Sequence, residues 1–174
     1  MGKPFPPDPV LLFAATLYRD EEYFSSAREQ LQTLFGDRIM ESRPLPWEYS
    51  GYYAEELGSP ILRRFIFFRN MINRETLSDI KLATNEIEER LATVGKRNIN
   101  LDPGYLTSYN VVLASTKNYS HRIHIGKGIF AEVTLVYKDK DRRYQPNLFT
   151  YRDYASDAYA EIFSQARKFL RQCP

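Results

Sequence analysis

At 174 residues, with 43% hydrophobic and 14% aromatic side chains, the chain has the size and apolar content of one domain spanning 1–174, and it is too apolar to be disordered or low-complexity. Its formal net charge of +2 is too small to imply nucleic-acid binding from composition alone. The single cysteine, Cys173, excludes an internal disulfide and argues against a thiolate metal site or a cysteine nucleophile, as expected for a reducing cytoplasm.

The opening MGKPFPPDP lacks the pattern of a cleavable signal and reads as a loose start through residue 9. The apolar run VLLFAATL is too short to span a bilayer, so no membrane partner is expected, and Val10 to Tyr18 reads as a buried strand. Asp20 then opens a helix that Gly36 stops, with Phe24, Ala27, Leu31 and Leu34 on its apolar face. Residues 37–47 read as extended, and the tyrosine-rich EYSGYYAEELGSP as an excursion before a second strand, ILRRFIFF.

Asn73 or Thr76 starts a second long helix whose buried stripe is Leu77, Ile80, Thr84, Ile87, Leu91 and Val94, ending at Gly95. RNINL follows as a short strand. The order strand-helix-strand-strand-helix-strand is that of a ferredoxin-like sandwich of the α+β class, with helices on one sheet face. Beyond it, LDPGYL reads as a type II turn, and TSYNVVLAST is open between helix and strand. HRIHI and IFAEVTLVY make a hairpin about Gly126-Lys127-Gly128, followed by an edge strand near 143–150 and a last helix from about Ser156 to Arg171. That helix buries Tyr159, Ile162, Phe163, Ala166, Phe169 and Leu170.

Charge is distributed unevenly. Between Gly95 and Gly128, Lys96, Arg97, Lys117, Arg122 and Lys127 face Asp102 as the only acid, which suits an anionic ligand. On the second helix Lys81, Thr84, Asn85 and Glu88 share one polar stripe beside the buried one, a candidate cleft wall leading into Arg97, Asn100 and Asp102. GKGIFA matches the spacing of a dinucleotide-binding loop, but a strand follows it where that loop needs a helix, and no Walker A sequence is present. His121 and His124 lie three apart on a strand and so face opposite sides, which argues against a metal held by both. In the hairpin Arg122 faces Glu132, read as an ion pair on a wet sheet face together with His124 and Thr134; His121, Ile123, Ile125, Ala131, Val133 and Leu135 form the apolar side.

The stretches YYAEELG, IKLATNEIEE, GKRNINLDPGYLT, LASTKNYSHRIHIGKGIFAEVTL and TYRDY together resemble a bacterial family known as domain of unknown function 4416. Some of its members carry a GTP-binding label, which no phosphate loop here supports. The resemblance implies family positions at Lys81, Asn85, Glu88, Arg97, Asn100, Asp102, Tyr105, Thr116, Lys117, His121, Arg122, Gly126, Gly128 and Glu132. It also marks a departure, Arg152 standing where the family pattern has proline.

The expectation is a cleft for a phosphate- or carboxylate-bearing small molecule, with a nucleotide as the natural case and no cofactor specified. Lys117, Arg122 and Arg97 supply charge, while Thr116 and the amides near Gly126 and Gly128 donate hydrogen bonds. Tyr105 and Tyr119 are available for stacking. If chemistry occurs, His121 is the general acid or base, oriented by Asp102 or Glu132. The alternative is a non-catalytic module for RNA or an acidic protein.

Overall fold

The computed structural model describes residues 2–170, so Cys173 and the expected helical residue Arg171 lie outside the described residues. Thirteen regular elements follow in chain order: β1 (Val10–Tyr18), α1 (Glu21–Phe35), β2 (Arg38–Glu41), β3 (Leu45–Pro46), α2 (Gly51–Leu57), β4 (Leu62–Ile72), α3 (Leu77–Arg90), β5 (Ile99–Leu106), β6 (Asn110–Ser115), β7 (Ile123–Gly126), β8 (Ile129–Lys138), β9 (Arg143–Pro146) and α4 (Asp157–Leu170). The strands form one antiparallel sheet in the order β2-β4-β1-β5-β6-β8-β7, with β3 added to β4 and β9 to β8. The protein is therefore a mixed α and β structure built on one sheet.

All nine residues of β1 are buried, because helices cover both faces of the sheet. On one face Leu12, Ala14, Ile66 and Phe68 pack with Phe24 and Leu31 of α1 and Ile80 and Ile87 of α3. On the other, Phe13, Phe65 and Phe67 pack under α4, where the Phe163 ring meets them edge-on at 5.1, 5.2 and 5.8 Å. The two helices expected on one face, α1 and α3, do share it, and α4 closes the opposite one. The continuous apolar run of β1 is the sequence signature of a strand buried on both faces.

Several local readings change as well. The second long helix ends at Arg90 and not at Gly95, since Thr93 and Lys96 pair in a turn that leaves Val94 in a left-handed conformation and 97% exposed. Leu34, placed on the apolar face of α1, is 51% exposed. The tyrosine-rich excursion contains α2, capped by the Ser50 hydroxyl, which accepts the Tyr52 amide. TSYNVVLAST is strand β6, and the edge strand stops at Pro146.

LDPGYL is not a turn but the body of β5, paired with β1 along its whole length. A side chain at Gly104 would put its Cβ 2.4 Å from the Val112 carbonyl oxygen and 2.6 Å from the Phe13 ring, so glycine is needed there for close packing and not for turning.

Candidate functional site

The site begins where the sheet comes apart. β5 pairs with β6 only at Gly104, Tyr105 and Leu106, leaving the edge of residues 99–103 without a neighbouring strand on that side. Backbone polar groups on a buried edge need partners, and α3 supplies them. The Leu101 N–H donates to Glu88 Oε1 at 2.5 Å, and the Leu101 carbonyl accepts Lys81 Nζ at 2.7 Å. Lys81 and Glu88 lie two helical turns apart on one face, and the residue between them, Thr84, returns its hydroxyl to the Lys81 carbonyl at 2.9 Å. Two residues beyond Leu101 the strand carries Pro103, which has no N–H to leave unpaired. The polar stripe read from the sequence is therefore a buried clamp on an open strand edge.

A cavity of about 700 Å³ lies over this opening. On its α3 side Arg97 ties three elements together: Nε and Nη2 reach both Glu56 oxygens of α2 at 2.7 Å, and Nη1 reaches Glu88 at 3.0 Å and the Asn100 side-chain oxygen Oδ1 at 2.9 Å. The two carboxylates that grip it differ. The hydrogen bond from Arg97 holds the Glu56 carboxyl below its ordinary pKa, whereas burial pushes the Glu88 carboxyl up.

Across the cavity, Arg122 and Glu132 form a pair at 2.7 Å whose side chains are 1% and 3% exposed. Arg122 also bonds the Ser115 hydroxyl at 2.8 Å, the Lys117 carbonyl at 2.9 Å and the Tyr151 hydroxyl. The wet-face reading of this pair is corrected. Ile123 and Val133 are the exposed ones, at 74% and 43%, and Thr134 is buried. Thr134 is the extra residue of a β-bulge, since Val111 pairs Leu135 while Val112 pairs Val133, and the bulge puts Glu132 and Leu135 on the same side.

At the floor, the Asn100 side-chain amide donates to Asp102 Oδ2 at 2.7 Å, and Lys81 Nζ and Arg63 Nη1 each stand 3.8 Å from an Asp102 oxygen. Arg63, 3% exposed, pairs through Nη2 with Asp153 at 3.0 Å, and Asp153 also accepts the Trp47 indole at 2.9 Å. An aromatic wall of Trp47, Tyr49, Tyr52 and Tyr53 completes the lining, with Lys117 Nζ 5.4 Å from the Tyr52 ring centre.

Of the fourteen family positions named from the sequence, Lys81, Asn85, Glu88, Arg97, Asn100, Asp102, Thr116, Lys117, Arg122 and Glu132 do line this cavity, whereas Tyr119, named there for stacking, does not. The other four family positions do not line it either. Tyr105 packs with Leu77, Val112 and Ala114. Gly126 and Gly128 form the hairpin turn, whose Lys127 pairs with Asp79. His121 bonds Glu132 through Nε2 at 2.9 Å and stacks on Phe149, but contributes no lining surface.

Arg63, Trp47 and Asp153 join the lining without having been singled out. The signal for Arg63 was present: two arginines inside ILRRFIFF require a buried carboxylate or an exit to solvent. Arg152, which stands where the family pattern has proline, falls on the lining itself. Among the described residues no group of histidine, cysteine and carboxylate side chains is placed to hold a metal ion, and no helix is long and apolar enough to cross a membrane.

Fold and site together define a mixed α and β protein with a cleft, lined by ionic and aromatic side chains, beside an unzipped seam of its sheet. The chain belongs to the family described as domain of unknown function (DUF4416), which it matches over residues 8–169. No curated protein and no solved structure matches it.

Proposed function

We propose that the cleft binds a small cytoplasmic anion bearing a phosphate or carboxylate, nucleotides included. One observation carries this reading. Lys117 and Arg152 line the cavity and have no carboxylate within ion-pair distance among the described residues, whereas the other lining cations are engaged by Asp153, Asp102, Glu56, Glu88 or Glu132. A guanidinium already neutralised by its own carboxylates has little attraction left for a guest. Arg97 and Arg122 are accordingly framework, and the charge offered to a ligand comes from Lys117 and Arg152. The tyrosines and Trp47 beside Lys117 suit a planar group on the same ligand.

Nucleotides and sugar phosphates at millimolar concentration should raise the melting temperature, and the Lys117→Ala, Arg152→Ala double variant should lose that rise. Its ligand-free stability should stay within about 0.5 kcal/mol of wild type, since both residues are exposed. No shift with any anion would end the reading.

A second reading, a non-catalytic RNA-binding module, draws on the exposure of Tyr52, Tyr119 and Tyr151, which are 59%, 52% and 44% accessible and offer aromatic surface to bases. RNA binding that falls steeply with added salt would favour it over a small-molecule site. A general acid or base role for His121 has less support, because its ring lies outside the lining. The strand order β2-β4-β1-β5, with α1 and α3 on one face, supports reading this half as a ferredoxin-like sandwich extended by β6 to β9 and α4.

A further inference from the structure

The floor of the cleft carries polar groups with unused capacity. Asp102 Oδ2 accepts from Asn100, but Oδ1 accepts no hydrogen bond among the described residues, its nearest cation being Lys81 Nζ at 3.8 Å. Arg63 Nη1 is buried, ends 3.8 Å from Asp102 and has no hydrogen-bond partner. Lys81 spends one of its three donors on the Leu101 carbonyl. The open acceptor Oδ1 thus has one open donor beside it in Lys81, and a second, Arg63 Nη1, stands by the other oxygen of the same carboxylate, all three residues lining one cavity.

That pattern selects a functional group. A phosphate or carboxylate at the floor would meet the Asp102 carboxylate as a like charge. An ammonium would meet Arg63 and Lys81 the same way. A hydroxyl does neither: it donates to Asp102 Oδ1 and accepts from Lys81 or Arg63, and two adjacent hydroxyls use both donors. Being neutral, it also leaves intact the charge balance among Arg63, Lys81 and Asp102.

We infer that Asp102, Lys81 and Arg63 form a hydroxyl-recognition subsite, so that the ligand is a hydroxylated phosphate monoester, sugar phosphate or ribonucleotide, held with its hydroxyls at the floor and its phosphate toward Lys117 and Arg152. This inference rests on the anion-binding reading above and adds ligand class and orientation to it.

Calorimetric titration of the full chain with five compounds tests it: inorganic phosphate, ribose 5-phosphate, 2-deoxyribose 5-phosphate, adenosine 5′-monophosphate and its 2′-deoxy counterpart. Each hydroxylated compound should bind about tenfold or more tightly than its deoxy partner, the size expected for a hydrogen bond to a charged group. In Asp102→Asn that ratio should shrink toward one, while the Lys117→Ala, Arg152→Ala variant weakens both partners equally and keeps the ratio. Either ranking of the adenosine compound against ribose 5-phosphate upholds the subsite and identifies which source of the hydroxyls fits better. Equal affinity for hydroxylated and deoxy partners in the wild-type protein, or inorganic phosphate binding as tightly as the sugar phosphates, would overturn the inference and leave anion binding standing. Failure of all five to bind would remove both. Because the decisive ratio is measured on the wild-type chain, a poorly folding Asp102→Asn variant does not blunt the test.

Discussion

The two edges of β5 differ in kind. Toward β1 the strand is paired residue by residue from Ile99 to Leu106. Toward β6 it is paired only at its last three residues, and the backbone at Leu101, which has no strand partner there, is held by Lys81 and Glu88. A strand neighbour satisfies a backbone edge with groups that carry no net charge, whereas side chains do so with charges that must themselves be balanced. Opening the seam therefore brings in Arg97, Glu56, Asn100 and Asp102 as further partners. The ionic network of the cleft follows from the missing strand contact.

Breaking the zipped side should have the largest effect. Phe163→Ala removes the ring that meets Phe13, Phe65 and Phe67, and should cost about 3–5 kcal/mol in denaturant unfolding, as for other buried aromatic truncations. On the open side, Glu132→Gln leaves Arg122 buried without its carboxylate; a loss of about 3 kcal/mol is expected, at the lower end for a broken buried pair because Ser115, Tyr151 and the Lys117 carbonyl still hold the guanidinium. A Glu132→Gln protein as stable as wild type would show that this pair acts as a solvated one. Gly104→Ala strikes the point where the two regimes meet. Its Cβ must displace the Val112 carbonyl or the Phe13 ring, for a cost of about 1–3 kcal/mol, and amide exchange should rise in β6 more than in β1.

How far these regions are legible in the sequence also differs. The zipped side is written in local pattern: the apolar run of β1 and the helical spacing of Phe24, Ala27, Leu31, Ile80 and Ile87 identify strand, helices and core directly. The open side shows its members but not its form. Lys81, Glu88, Arg97, Asn100 and Asp102 stand out as a polar series, yet the burial of Lys81, Glu88 and Asn100 and the linking of all five depend on β6 leaving β5, which no local pattern records. Pro103-Gly104 misleads for the same reason. Its usual meaning is a turn, and here proline is tolerated because the adjoining strand has gone, while glycine is required by Phe13 and Val112. Thr134 hides a bulge inside a regular alternation, which inverts the inside and outside of the hairpin. Nor does ILRRFIFF reveal that Arg63 lines the cleft while Arg64 pairs with Glu21 and Glu41.

The smallest expected effect is a dependence on pH, and it bears on what holding the open edge costs. Burial raises the Glu88 pKa above its ordinary 4.5, against the opposing pull of Lys81, the Leu101 amide and Arg97. A carboxyl whose pKa is higher folded than unfolded binds its proton more tightly in the folded chain. Its contribution to stability is complete below pH 4.5 and declines as pH rises through the folded value. Glu88→Gln removes this titration and keeps an oxygen to accept the Leu101 N–H, although its amide nitrogen then faces Arg97 Nη1, donor against donor. The variant should be less stable at acid pH, and the gap to wild type should narrow as pH climbs from 4.5 toward neutrality, read from denaturant midpoints at successive pH values. A gap that stays constant would mean the buried carboxylate is fully compensated by Lys81 and Arg97. A gap that widens would mean Arg97 dominates, and that the open seam is stabilised by charge where it is otherwise expected to be strained by it.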